Sequence, residues 1–374
     1  MKILVFSWRG PDHPHAGGAE YSSHEHAKGW VKAGNEVTLF TSTYDGGKKE
    51  EFVDGVHIIR RGNQVLGVHI RAFLWYLFEK HSKFDVVVDE VHGLPFFTPL
   101  YIGVPKLVFI HEVAKEVWRL NPWSFPFNLI PAILGTYLEP IIFEIIYRKI
   151  PFMTVSQSTK DDLIEWNIPQ KNITVVNNGF VGIKSTAKKK ENKKTLIYLG
   201  ALSRDKGIED ALDVFSILSK RKRDINYWVV GKGESHYLQY LKNKVKKSNL
   251  EGAVRFYGFV SDREKYNLLS KAYILINPSI REGWGLVVIE AASVGTPTVA
   301  YNVAGLKDSV VNGETGLLSN PNSKDCAEAV QTLLDDESLY KSLAKNCLVW
   351  SKKFSWTESV RDSLKLLKKI SSNY

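Results

Sequence analysis

Residues 278–297 read PSIREGWGLVVIEAASVGTP. The apolar run before them, 273–276, predicts a buried parallel strand, and 286–294 predicts a helix with apolar residues on one face. Between the two, Gly283 and Gly285 leave room for a ligand to approach the backbone closely. A helix start of this kind offers unpaired N–H groups and the positive end of the helix dipole to an anion, and diphosphate fits that description. Glu290 lies about one turn into the helix and Glu282 just before it. Both carboxylates therefore project towards the same pocket, where they accept hydrogen bonds from hydroxyls such as those of a sugar or a ribose.

The same strand, turn and helix alternation extends in both directions. Strands are predicted at 3–6, 36–41, 56–60, 85–89, 106–110, 152–155 and 173–176, then again at 195–199, 227–230, 254–257 and 298–300, with helical stretches between. Alternation of this kind implies α/β domains, each with a parallel sheet covered on both faces. The pattern restarts after a lysine-rich stretch, KSTAKKKENKK at 184–194, so two Rossmann-like domains are expected: 1–183, then 184–352. The polar linker 182–194 is the expected hinge. The last segment, 353–374, has amphipathic helical spacing. Ligands in open α/β sheets bind at the carboxyl ends of the strands.

With 374 residues, 44% of them hydrophobic, the chain is long enough for two cores. Its net charge of +10 is uneven: residues 1–180 hold 18 Lys and Arg against 19 Asp and Glu, leaving 32 against 21 in the second half. Such a field favours anionic ligands, although lysine runs are usually solvated faces. No nucleic-acid recognition module accompanies them, and nucleic acid is not an expected partner. The start, MKILVFSWRGPDH, has too short an apolar run for a secretory signal, so a cytoplasmic protein is expected. The two cysteines, Cys326 and Cys347, are too few for a disulfide framework and read as reduced packing residues. No Asp-x-Asp, His-Glu-x-x-His or Cys-x-x-Cys pattern appears, so neither a metal site nor a cofactor is expected. The first strand is not followed by Gly-x-Gly-x-x-Gly, which removes the NAD-dependent oxidoreductase reading, and no Gly-Lys-Ser/Thr loop suggests an ATPase. The apolar segment 129–147 is interrupted by Pro131, Glu139, Pro140 and Glu144, and a membrane-spanning helix is not expected.

Glu282, seven intervening residues, Glu290 and a small-residue helix ending at Gly295-x-Pro297 together resemble the signature of retaining GT-B glycosyltransferases of the family 4 type. The resemblance implies two Rossmann-like domains facing across a cleft, with the C-terminal helix crossing back to the first. It also implies a sugar transfer from a nucleotide diphosphate sugar, UDP or GDP sugar first, to a hydroxyl acceptor. In that family the second Glu binds the donor ribose and the first contacts donor-sugar hydroxyls, roles that fall on Glu290 and Glu282. GALSRDKG at 200–207 carries the family lysine as Lys206, whose fixed ammonium stabilises negative charge growing on the leaving phosphate. Ala201 stands where the family has an arginine, and Arg204 is the nearest replacement. VVGKGE at 229–234 and RFYGFV at 255–260 resemble the loops beside the nucleotide.

The donor-binding candidates are thus Gly18, Arg204, Gly231, Phe259, Gly283, Trp284, Gly285, Leu286 and Glu290, and the catalytic candidates Glu282, Lys206 and His111. His111 follows the strand KLVFI and resembles the first member of the family's His-Asp pair, here His111 and Glu112. Gly17 and Glu20 are acceptor-side candidates. Glu20 either meets an acceptor hydroxyl or favours the helix start. The aromatic segment from Trp118, including Trp123, reads either as a peripheral membrane contact or as packing or acceptor pocket. The expected setting is surface polysaccharide, glycolipid or lipid-linked glycan synthesis. Rival readings are a nucleotide-sugar epimerase or hydrolase of the same fold, and a noncatalytic sugar-nucleotide binder.

Overall fold

The computed structural model describes residues 1–64, 66–120, 129–182, 189–221 and 224–372. The chain divides into two compact units, Met1–Gly179 with Ser355–Tyr374, and Phe180–Phe354. Trp123, Phe125 and linker positions 183–188 lie outside the described residues.

The first unit is built on eight strands: β1 (Lys2–Phe6), β2 (Glu36–Thr41), β3 (Glu50–Val53), β4 (Val56–Arg60), β5 (Val86–Val91), β6 (Lys106–Ile110), β7 (Phe152–Thr154) and β8 (Ile173–Val175). Their spatial order is β3-β4-β2-β1-β5-β6-β7-β8, parallel throughout except for β3. The sequence pattern does not predict β3. Its residues EEFV include two glutamates and an exposed Phe52, and what makes the strand is the two-residue turn Asp54-Gly55, with φ of 51° and 82°. Positive φ at both positions is the hairpin turn that suits the twist of paired strands. The central strand β5 is buried at every position, the signature of a sheet covered on both faces.

The helix Trp356–Ser372 returns to this first unit and lies against the helix Gly18–Lys32. A side chain at Gly29 would come 2.4 Å from Val360, so only glycine lets the two helices approach this closely. His26 Nδ1 and Trp30 Nε1 both meet Ser363 Oγ, at 2.9 and 3.0 Å. Trp30, 1% exposed, is among the largest fully buried side chains.

The second unit holds β9 (Lys194–Leu199), β10 (Ile225–Val230), β11 (Val254–Gly258), β12 (Ile274–Asn277), β13 (Thr298–Tyr301) and β14 (Gly316–Ser319). All pair in parallel in the order β11-β10-β9-β12-β13-β14. This is the Rossmann order, in which successive strands run outward from β9 and then resume on its other side at β12. The direction therefore reverses between β9 and β12, the kind of switch point at which open α/β sheets bind ligands. Its core is continuous, from Leu196 and Tyr198 through Phe215 and Tyr227 to Val330 and Leu343. Each such aliphatic side chain stabilises by about 1.5–3 kcal/mol when taken from water. Cys326 lies within this core and Cys347 is buried elsewhere in the unit, and neither forms a disulfide.

The prolines of 129–147 do not break the helix there. Leu129–Ile142 is α-helical and continues through a π-turn at Phe143–Tyr147. Pro140 has no N–H to give its own turn, and the widened turn follows directly after it. The resulting 19 residues are long and apolar enough to cross a bilayer by length and composition, and only 17% of the best window is buried.

Candidate functional site

In the second unit, the strand-to-helix turns after β9 and β12 carry the two residues on which the sequence reading rests. Lys206 Nζ lies 3.1 Å from Glu282 Oε2, with the side chains 26% and 17% exposed. Residues 76 positions apart in sequence thus form an ion pair at the point where the strand order reverses. Two glycines make this possible. Gly207 has φ of +67°, and a Cβ there would sit 1.9 Å from the carbonyl oxygen of Pro278. Gly305 has φ of +79°, and a Cβ there would sit 2.0 Å from the carbonyl oxygen of Glu282. Only residues without a side chain allow the loops after β9, β12 and β13 to lock together at this spacing. Ser279 Oγ is 2.9 Å from Glu282 Oε1 and 2.8 Å from Asn277 Oδ1, which ties the carboxylate to the end of β12.

Gly285, at φ +75°, starts the helix Leu286–Ser293, with Leu286 as its first residue and Gly283 buried just ahead. Glu290 is held by Lys265, whose Nζ donates to Oε1 at 2.6 Å. Burial pushes the Glu290 carboxyl above its ordinary range, against the pull of the Lys265 ammonium. Lys265 is itself pushed up: burial lowers it, but Glu290 outweighs burial. The pattern does not point to Lys265, because its pairing depends on how the helix Asp262–Lys271 packs on the helix Leu286–Ser293.

The remaining donor candidates are less concentrated. Trp284 is 4% exposed and its ring packs edge-on against Phe354 at 5.0 Å, so its backbone, not its indole face, borders the loop. Gly231 follows β10 and its N–H donates to the Gly258 carbonyl at 2.9 Å. Phe259 is 78% exposed, with Lys232 Nζ 5.6 Å from its ring. Arg204 is exposed and turned towards Glu209, 3.6 Å away.

In the first unit, Gly17 caps the helix that Gly18 begins. Glu20 is 2% exposed and fully engaged: it accepts from Trp8 Nε1 at 3.2 Å, Arg9 Nε at 2.8 Å and the Gly17 N–H at 2.7 Å. Burial raises its pKa, but His92, Arg9 and the Gly17 N–H outweigh burial and hold the carboxyl below its ordinary range. Of the two roles left open for Glu20, its bond from the Gly17 N–H is the one at the helix start. His111 follows β6 and is 5% exposed, its ring stacked on His92 at 5.7 Å. Trp118 is half-buried: its Nε1 donates to Glu139 at 2.8 Å and its ring lies on Gly135, the packing alternative of its sequence reading.

Sequence patterns of two families cover the chain: "Glycosyltransferase Family 4" over residues 16–180 and "Glycosyl transferases group 1" over residues 183–348. The chain belongs to the family 4 glycosyltransferases. A glycogen synthase of Mycobacterium tuberculosis is 25% identical to this glycosyltransferase, across 92% of the chain and 89% of the relative. Sucrose-phosphate synthase from Thermosynechococcus elongatus shares its fold with a TM-score of 0.81, covering 100% of both chains at 19% identity. The Anabaena protein HepE, solved in complex with UDP-glucose, has a TM-score of 0.72 at 19% identity and covers 98% of this chain and 99% of its own. These likenesses give the glycosyltransferase two Rossmann-like domains of the GT-B class.

Proposed function

We propose that this glycosyltransferase moves a sugar from a nucleotide diphosphate sugar to a hydroxyl acceptor, with retention of configuration and with Lys206 in the place a metal ion would otherwise take. The observation that carries the reading is the Lys206–Glu282 pair, 3.1 Å apart where the strand order reverses. A diphosphate competes for the Lys206 ammonium, and Glu282, once parted from it, is free to accept hydrogen bonds from the donor sugar. Charge on the leaving phosphate grows as the glycosidic bond breaks, so the ammonium acts most strongly in the transition state. Glu290 takes the ribose hydroxyls, exchanging part of its bond to Lys265 for them. Gly283, Gly285 and Leu286 present the helix start to the diphosphate. Retention follows the family resemblance, and His111 meets the sugar or the acceptor. The UDP-glucose bound by the Anabaena relative favours a UDP sugar as donor.

The test is nucleotide release from a panel of UDP, GDP and ADP sugars in metal-free buffer, with Lys206→Ala and Glu282→Ala beside the parent protein. Release from one donor, reduced at least about 100-fold in Lys206→Ala with the denaturation midpoint nearly unchanged, supports the reading. Equal release by parent and both variants sinks it. Release without any added acceptor, continuing to exhaustion, selects the alternative in which water takes the sugar, a hydrolase or a hydrolysing epimerase.

The acceptor reading is a lipid-linked or surface glycan, met at the cytoplasmic face of a membrane. What favours it is the exposed face of the helix Leu129–Ile142 and its continuation, where Ile130, Ile133, Tyr137, Ile141 and Ile145 are 48–76% exposed at helical spacing. An apolar stripe of this extent on a soluble surface is rare without a partner. Flotation with liposomes that is unchanged by Ile133→Ser with Tyr137→Ser rules this reading out.

A further inference from the structure

Strand β5 ends in Asp89-Glu90-Val91, and His92 follows. Glu90 is 1% exposed, in the sheet's centre, a position that a carboxylate occupies only when donors surround it. Its Oε1 lies 2.5 Å from Ser23 Oγ, 3.1 Å from His92 Nε2 and 3.5 Å from His111 Nε2. Ser23 Oγ is also 3.3 Å from His111 Nε2. Its Oε2 is buried and makes no hydrogen bond among the described residues. Trp8, His92 and His111 form a stacked column, with ring separations of 5.4 and 5.7 Å.

The donors and acceptors in this cluster can be assigned one way. An ionised carboxylate accepts only. Ser23 therefore gives its single proton to Glu90, and its oxygen is left to accept from His111 Nε2–H. His92 likewise faces the carboxylate with Nε2–H. With Nε2 protonated, a neutral His111 carries its lone pair on Nδ1.

We propose that Glu90 is the positioning residue of the first unit's site: through Ser23 it fixes His111 as the Nε2–H tautomer and presents the Nδ1 lone pair to a hydroxyl of the sugar or acceptor. The proposal rests on the reading of His111 as a residue that meets the substrate. The surrounding charges agree with it. Burial pushes the Glu90 carboxyl up, but His111 and His92 beside it outweigh burial and keep it well below its ordinary range. Burial lowers His111, with the His92 charge adding to it and Glu90 and Glu20 opposing, so the ring stays neutral. In His92 burial is outweighed by Glu90, and its pKa is raised. His26 and Arg9 are the other titratable or charged groups that bear on the cluster.

The test has two arms. Long-range ¹H–¹⁵N NMR of the imidazoles in the parent protein is expected to show His111 neutral with Nε2 protonated. An Nδ1–H tautomer overturns the proposal, and this arm needs no turnover, so it stands even where the transferase reading fails. In the second arm, Glu90→Gln is expected to lower kcat about 10- to 100-fold with the donor KM within about threefold, and Glu90→Asp to recover part of the loss. Unchanged kcat in Glu90→Gln, with the His111 tautomer and the His92 pKa both unmoved, overturns it too.

Discussion

His26 is buried between Trp30, Phe109 and Trp356, and its pKa falls from 6.5 to about 3, chiefly because burial penalises the imidazolium and secondarily because His111 lies nearby, with Glu90 opposing. The native state holds this ring neutral while the unfolded chain protonates it below pH 6.5. The unfolded side then binds the extra proton, so stability falls as pH drops through the window from 6.5 towards 3. Each unit of pH within that window is worth about 1.4 kcal/mol, or about 2 kcal/mol by pH 5. The loss belongs to the helix Trp356–Ser372, because His26 is protonated once that helix and Ser363 leave it. Native-state hydrogen exchange of the amides of Trp356–Ser372 at pH 7 and pH 5, corrected for intrinsic rates, reads the opening free energy directly. His26→Gln is expected to open more easily at pH 7 and to lose about 2 kcal/mol less than the parent between the two pH values. Equal losses in parent and variant would refute the argument.

Two further outcomes follow from described geometry. Gly207→Ala, whose Cβ would sit 1.9 Å from the Pro278 carbonyl, is expected to push the loops after β9 and β12 apart and lower donor affinity at least about tenfold, by titration calorimetry, with the far-ultraviolet spectrum retained. Burial pushes the Cys326 and Cys347 thiols up to about 12, so both should resist Ellman's reagent at pH 8 until the second unit unfolds.

The apolar strand runs and the glycine turns were legible in the sequence because their signals are local. β3 and β14 were not. β3 is an exposed edge strand made by its Asp54-Gly55 turn, and β14, GLLS, is too short to show a period. Glu282 and Glu290 could be picked out by their places around one strand-to-helix turn and Lys206 by the family resemblance, but Lys265 could not, since 25 residues and a helix packing separate it from Glu290. Glu90 hides inside a buried run, where alternation carries no information. Its signal is a carboxylate two residues before a histidine at a strand's carboxyl end, a pattern that gains meaning only once His111 and Ser23 are beside it. Glu20 and Trp118 show the converse: residue types with chemistry to offer, whose donors and acceptors the fold uses up internally.

The first unit is assembled from two segments that flank the second in sequence. Everything from Phe180 to Phe354 is synthesised before the residues that cover His26, Trp30 and Gly29 emerge. At about 5–20 residues per second that interval lasts roughly 10–35 s, during which the face of the helix Gly18–Lys32 stays bare on the ribosome. The second unit, contiguous in sequence, has no such wait. Synthesis thus imposes an order, the second unit closing first and the first unit last, and a ribosome stalled near residue 354 would release a chain whose second unit is whole and whose first is a substrate for chaperones.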